Sequence, residues 1–254
     1  MDIARQAKVA ALQTLQVCKS YFGLLSPDAF RFHKHCYICR QSSAAIVCEY
    51  CNKDIALPHF TTLGTDLLNT PTIRKHLVLP YYHELHAIGE YKGVLKQLIN
   101  KLKFSNQMLA CQVLHHFFEI YVLQRLRQVS ELPDALVPIP LSKWRYAKRG
   151  YNQARELAKA ISSETDIPIL DALVKHTHTR AQSELSREQR LQNVEGVFSL
   201  AQVINCSHIA LVDDVMTTGA TINSACETIV KQYPEMKISV WVMALTPSPQ
   251  SKKP

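Results

Sequence analysis

A chain of 254 residues with 47% apolar content can build one large domain, or an ordinary domain plus a small one, around a sizeable core. No apolar run approaches the ~20 residues of a membrane span, and residues 1–19 mix acids and bases into their apolar pattern; neither a spanning helix nor a secretory leader is predicted, and the expected location is cytoplasmic. The formal charge of +8 suits a polyanionic ligand, nucleic acid or pyrophosphate, and equally suits a merely soluble protein.

In chain order, 4–21 has helical spacing and belongs to an N-terminal helical segment, 1–30. Two C-x-x-C pairs follow, Cys36 with Cys39 and Cys48 with Cys51. Their soft sulfurs on two tight turns suit tetrahedral Zn²⁺. Redox pairs normally come singly and near a βαβ pattern, so the spacing favours structural zinc over redox or buried thiols. The lobe is expected over 31–60, with His33, His35 and His59 ranked below the cysteines as ligands. With all four positions filled by protein, such an ion would not be catalytic. Cys18, Cys111, Cys206 and Cys226 are expected to be ordinary buried residues.

Residues 54–80 read as a connector and 77–85 as an edge strand. Residues 91–104 form a basic amphipathic helix, with Val94, Leu95, Leu98, Ile99 and Leu102 on one face and Lys92, Lys96, Lys101 and Lys103 off it. Lys103, beside Phe104 at the helix end, is a weaker candidate for an anion contact. A second helix is expected over 107–128, then a strand over 135–140 that ends in a proline-stiffened turn. Next, Lys143, Arg145, Lys148 and Arg149 are interleaved with Trp144, Tyr146 and Tyr151. That mixture suits a nucleic-acid backbone and its bases, the flank of a pyrophosphate, or a solvated basic face. A helix over 152–163 and a short strand over 170–174 lead to a polar basic segment, 175–193, of a length that marks function or mobility inside a compact domain. Residues 197–200 follow, a strand over 237–245 closes the sheet, and 247–254 reads as a disordered tail. Strands alternate with helices after about residue 130, which predicts a parallel α/β sheet with its ligands at the carboxyl ends of strands, in a domain over 75–246.

The most informative stretch is 209–221, I-A-L-V-D-D-V-M-T-T-G-A-T, followed by a helix over 222–232. Its short apolar run predicts a buried parallel strand. The loop amides and the helix N-terminus converge where an anion is favoured. Gly219 lets the backbone come close, and Thr217, Thr218 and Thr221 add hydroxyl donors. Asp213 and Asp214 are badly placed to hold more phosphate, but a carboxylate grips a vicinal diol through two hydrogen bonds. A 5-phosphorylated ribose fits both halves. The bland alternative is an ordinary strand–turn–helix with a solvated acid pair.

This stretch resembles the phosphoribosyl pyrophosphate (PRPP) motif of the type I phosphoribosyltransferases. Together with the four-cysteine lobe, R-G-Y-N-Q at 149–153 and the segment R-A-Q-S-E-L-S-R-E-Q-R-L-Q-N-V-E-G-V-F at 180–198, it resembles the ComF/GntX family of phosphoribosyltransferase-like proteins over 30–246. The resemblance implies a type I phosphoribosyltransferase fold with an N-terminal zinc finger. It implies that Asp213 and Asp214 take the ribose hydroxyls and that Thr217, Thr218, Gly219, Ala220 and Thr221, flanked by Val215 and Met216, hold the 5-phosphate. The turn after Val137 would lie near the pyrophosphate and its Mg²⁺, 180–193 would be the mobile cover, and Asp213, Asp214, Arg180 and Arg187 are the expected catalytic residues. Family members are associated with uptake and use of external DNA in the cytoplasm, which implies single-stranded DNA and competence proteins as partners. No acceptor base is implied. PRPP-dependent transfer to an unidentified acceptor, a non-catalytic nucleotide or single-stranded DNA module, and a PRPP-sensing regulator all remain open.

Overall fold

The computed structural model describes residues 34–54, 66–75, 77, 81–105, 107–129, 131–176 and 197–246. The chain divides into two compact units, Met1–Ala56 and Leu57–Pro254. The expected helix over 4–21, the tail over 247–254 and most of the segment over 175–193 lie outside the described residues.

In the first unit, two hydrogen bonds, Cys36 N–H to Gln41 O at 2.8 Å and Arg40 N–H to Cys36 O at 3.0 Å, close the first cysteine turn. Arg40 adopts a positive φ of 66° there, and His35 bridges Ser42 across the turn. The second pair sits at the start of helix α1 (Glu49–Asp54).

In the second unit, apolar runs buried on both faces form a parallel sheet, as such strands must. The order is β1 (Glu84–Glu90), β6 (Lys237–Leu245), β5 (His208–Met216), β2 (Ala135–Pro138), and every pairing is parallel. Ile169 bridges Leu136 in parallel and extends the β2 edge. A separate antiparallel pair joins β3 (Leu173–Lys175) to β4 (Phe198–Leu200).

Helices cover both faces. Ile222, Ala225 and Ile229 of α6 (Ala220–Val230) pack into one core with Val137, Ile209, Leu211, Ile238 and Val240. On the other side lie α2 (Gly93–Phe104), α3 (Met108–Phe118, continued by a π-helical turn at Glu119–Leu123 and by Gln124–Val129) and α5 (Gln153–Thr165). There Phe118 meets Trp241 with ring centroids 5.6 Å apart. Leu95, Leu98, Ile99 and Leu102 supply the buried stripe of α2, and each such side chain contributes about 1.5–3 kcal/mol.

Several expectations shift. The edge strand is β1, displaced from the expected 77–85, so strand–helix alternation begins there and not near residue 130. β6 does not close the sheet but lies inside it, because its almost wholly apolar sequence is buried along both edges and faces. β3 leaves the main sheet to pair with β4. The basic aromatic segment folds into a short helix, α4 (Lys143–Arg149), started by the Ser142 side chain and ended by Gly150 at φ 79°. Cys206 is half-buried, whereas Cys111 and Cys226 are buried. Among the described residues no helix is long and apolar enough to cross a membrane.

Candidate functional site

The carboxyl end of β5 carries the acid pair. Neighbouring strand residues point to opposite faces. Asp213 continues the face of Ile209 and Leu211, which packs beneath α6. Asp214 takes the other face, where Lys103 of α2 reaches it at 2.9 Å, Nζ to Oδ1. These two side chains keep only 19% and 10% of their exposure, so solvent screens the pair little. Burial, and then the neighbouring Asp214 carboxylate, push Asp213 up to about 7. The Asp214 N–H, donated to Asp213 Oδ1 at 2.8 Å, and the charges of Lys103 and Lys175 oppose that rise.

The loop after β5 has the local geometry of an anion cradle. Gly219 stands at φ 80°, a left-handed conformation that L side chains enter at a cost. A Cβ there would also approach the Met216 Cε to 2.7 Å. No side chain caps α6, whose first bond runs from Asn223 N–H to Gly219 O at 2.8 Å. Thr217, Thr218, Ala220 and Thr221 are exposed around this N-terminus, and Thr218 Oγ1 accepts from Ala220 N–H at 3.4 Å. Val215 pairs with Ala244, and Met216 is buried, so these two hold the loop's base.

The turn after β2 lies on the same rim, since Pro138 pairs with Val212 and the Ile139 N–H donates to Val212 O at 2.9 Å. Asn152 fixes this turn from the start of α5. Its Nδ2 donates to Ile139 O at 2.9 Å, while its Oδ1 accepts from Ala154 N–H at 3.1 Å. Lys175 on β3 is a neighbour that the sequence did not single out. Burial and then the Arg145 charge lower its pKa, and the Asp213 carboxylate pulls the other way.

Beside the rim opens a cavity of about 590 Å³. Tyr91, Asn100, Lys103 and Phe104 line one side; Trp144, Arg145, Lys148, Arg149 and Tyr151 line the other. The Tyr151 hydroxyl donates to Leu102 O, and the Tyr91 hydroxyl donates to Asn100 Oδ1 at 2.7 Å. Cations lie over two of the rings: Lys148 over Trp144 and Arg149 over Phe104, each at 5.4 Å. Of the four expected basic residues the cavity therefore gathers Arg145, Lys148 and Arg149, while Lys143 stays exposed outside its lining. Arg180 and Arg187 lie outside the described residues.

In the first unit, Cys36, Cys39, Cys48 and Cys51 bring their sulfurs within 4.8 Å of one another. Cys39 and Cys48 Sγ are 3.7 Å apart. Tetrahedral zinc with ~2.3 Å bonds needs sulfurs about 3.8 Å apart, whereas a disulfide needs about 2 Å. Backbone N–H groups of Cys48 and Cys51 donate to Cys36 Sγ at 3.4 Å and Cys48 Sγ at 3.5 Å, a favourable setting for thiolates. Burial works against ionising Cys36, but N–H donors from Cys48, Cys39 and Ile38 outweigh it and bring that thiol down to about 6, whereas burial and then the sulfurs of Cys39, Cys48 and Cys36 push Cys51 up. The donor set fits a metal. His35 is not part of the cluster.

A parallel sheet flanked by helices, with an acid pair and a Gly/Thr loop at the end of an inner strand, defines a type I phosphoribosyltransferase fold. The model of the phosphoribosyl transferase domain matches residues 124–254. Competence protein F of Haemophilus influenzae is 39% identical over 171 residues, covering 65% of this chain and 74% of that protein. The DNA utilization protein YhgH of Escherichia coli is 27% identical over 220 residues, 83% of this chain and 96% of that one. Competence protein ComFC of Bacillus subtilis is 26% identical over 227 residues, 87% and 86% of the two chains. The chain belongs to the ComF/ComFC family of phosphoribosyltransferase-like proteins.

Proposed function

We propose that this chain binds PRPP with Mg²⁺ at the end of β5 and serves the handling of incoming DNA, in the cytoplasm. The observation that carries the binding half is the juxtaposition of two acids with an uncapped helix N-terminus whose preceding glycine has a positive φ. Asp213 and Asp214 accept from the ribose hydroxyls, and the amides and hydroxyls of 217–221 hold the 5-phosphate. The turn at 138–141 faces the pyrophosphate, where Mg²⁺ supplies charge neutralisation when bound. Displacement at ribose C1 with pyrophosphate leaving is the chemistry such a site permits, with an acceptor that its residues do not define. The DNA half draws on the names of the relatives in Haemophilus influenzae and Escherichia coli.

Calorimetry with PRPP and Mg²⁺ tests the reading. A charge-assisted hydrogen bond contributes ~1.5–3 kcal/mol, so Asp213→Asn or Asp214→Asn should weaken PRPP about tenfold to a hundredfold. Inorganic phosphate should bind both variants as it binds the unmodified chain. Absence of PRPP binding, or unchanged affinity in both variants, would remove the reading.

One observation favours a second activity, salt-dependent binding of single-stranded DNA: four cations and two exposed aromatic rings share one cavity. Changing Lys143, Arg145, Lys148 and Arg149 together to Ala should lower the slope of log affinity against log salt by ~0.7 for each phosphate that these side chains neutralise.

A further inference from the structure

The cavity between α2 and α4 has a chemistry of its own. Trp144 and Phe104 are 65% and 74% exposed, a large apolar area to leave in water on two facing elements. Each has a cation on one ring face. Beside those two cations, Arg145 adds a further charge, Lys103 lines the cavity while paired with Asp214, and no acid is among the described lining residues. A cationic ligand is therefore repelled, a purely apolar one would desolvate charge without return, and a bare polyphosphate would have no use for the rings. An aromatic anion satisfies all of these groups, and the volume of about 590 Å³ is in the range of a small-ligand site.

We propose that this cavity is a nucleotide site, with one unstacked base against Trp144 and Phe104 and the adjoining phosphate on Arg145 and Lys148. The proposal deepens the single-stranded DNA reading and rests on it for the source of the nucleotide; it does not need PRPP. Lys103 lines the cavity and also holds Asp214, so the nucleotide and anything bound at the acid pair are neighbours. Bases stacked on aromatic rings are read without sequence preference, which suits a protein that meets arbitrary DNA.

Intrinsic fluorescence gives a local readout. The chain has 2 tryptophans, and the other, Trp241, is 1% exposed in the core. The full chain is titrated with thymidine 5′-monophosphate, with a short thymidine oligomer, and with an abasic oligomer of the same length. Quenching of Trp144 is expected from the oligomer and not from its abasic counterpart. Quenching by the monophosphate as well would identify free nucleotides as ligands, and its absence would confine the site to strands. Phe104→Leu, at an exposed position, should weaken the oligomer roughly five- to a hundredfold. Arg145→Ala with Lys148→Ala should lower the salt slope by ~0.7 for each phosphate those two side chains neutralise. If the oligomer binds with salt dependence but without quenching, or the abasic strand quenches equally, or Phe104→Leu has no effect, the cavity proposal falls while surface binding of DNA stands. If no strand binds at all, both fall. Calorimetry with PRPP reports separately on the acid pair.

Discussion

In the proposed PRPP site, Asp213 is the residue whose protonation state would decide what the rim holds. Its carboxyl is raised from 3.8 to about 7, by burial first and by Asp214 second, against Lys103, Lys175 and one backbone N–H. In that pH window the folded chain keeps a proton that the unfolded chain has lost. The contribution of Asp213 to stability therefore falls as pH rises from 3.8 and levels off above about 7. Asp213→Asn should remove this slope and unfold at a higher temperature than the unmodified chain at pH 8, with little difference at pH 4. Thermal unfolding at the two values checks it; a variant less stable than the parent at pH 8 would contradict it. Ionised Asp213 is also the form that accepts from a diol, so PRPP affinity should rise with pH through the same range in the parent and stay flat in the Asn variant. Gly219 is the second decisive residue. Gly219→Ala should cost about 1–2 kcal/mol through its positive φ, read as a lower unfolding midpoint, with weaker binding of inorganic phosphate.

At the scale of elements, the parts visible in the sequence were those with strong local pattern. β5 has four apolar residues before two acids, and α2 has a clean helical stripe; both form close to where the sequence puts them. The cavity was not legible, because its walls come from two elements about forty residues apart that only the sheet brings together. Lys103 was visible as a basic residue at a helix end, a candidate for an anion contact, and its Nζ meets the Asp214 carboxylate. Lys175 sits in a strand of only 3 residues, too short for any period to show. Asn152 shows how one side chain ties elements together, because it caps α5 and holds the Ile139 carbonyl of the turn after β2. Asn152→Ala loses a cap worth typically ~1 kcal/mol and strips a buried carbonyl of its donor at a further ~1–3 kcal/mol. A loss of about 2–4 kcal/mol in denaturant unfolding is expected. PRPP affinity should weaken as well, since the turn at 138–141 loses its anchor. Asn152→Asp keeps the cap but not the donor, and should fall between the two.

At the scale of the molecule, the two units are stabilised by different means. The second has a core that runs from Leu67 to Leu245 and takes in the sheet and α6. The first has few buried residues among those described, Cys36, Tyr37, Val47 and Cys51, and two of these are cysteines. The described part of the lobe, 34–54, buries too little apolar surface to hold itself on a core alone and calls for a staple. Zinc would supply one: its binding contributes about 10–16 kcal/mol in small finger peptides at neutral pH, and that free energy appears as folding free energy. We therefore expect one zinc per chain, held by Cys36, Cys39, Cys48 and Cys51, measurable by elemental analysis. Chelation should make the amides of 34–54 exchange with solvent rapidly, while the thermal transition of the second unit stays where it was. Cys39→Ser should release the metal and reproduce the exchange pattern without chelator. Zinc-free protein with all four thiols reactive and the amides of 34–54 still protected would show that the lobe stands without a metal.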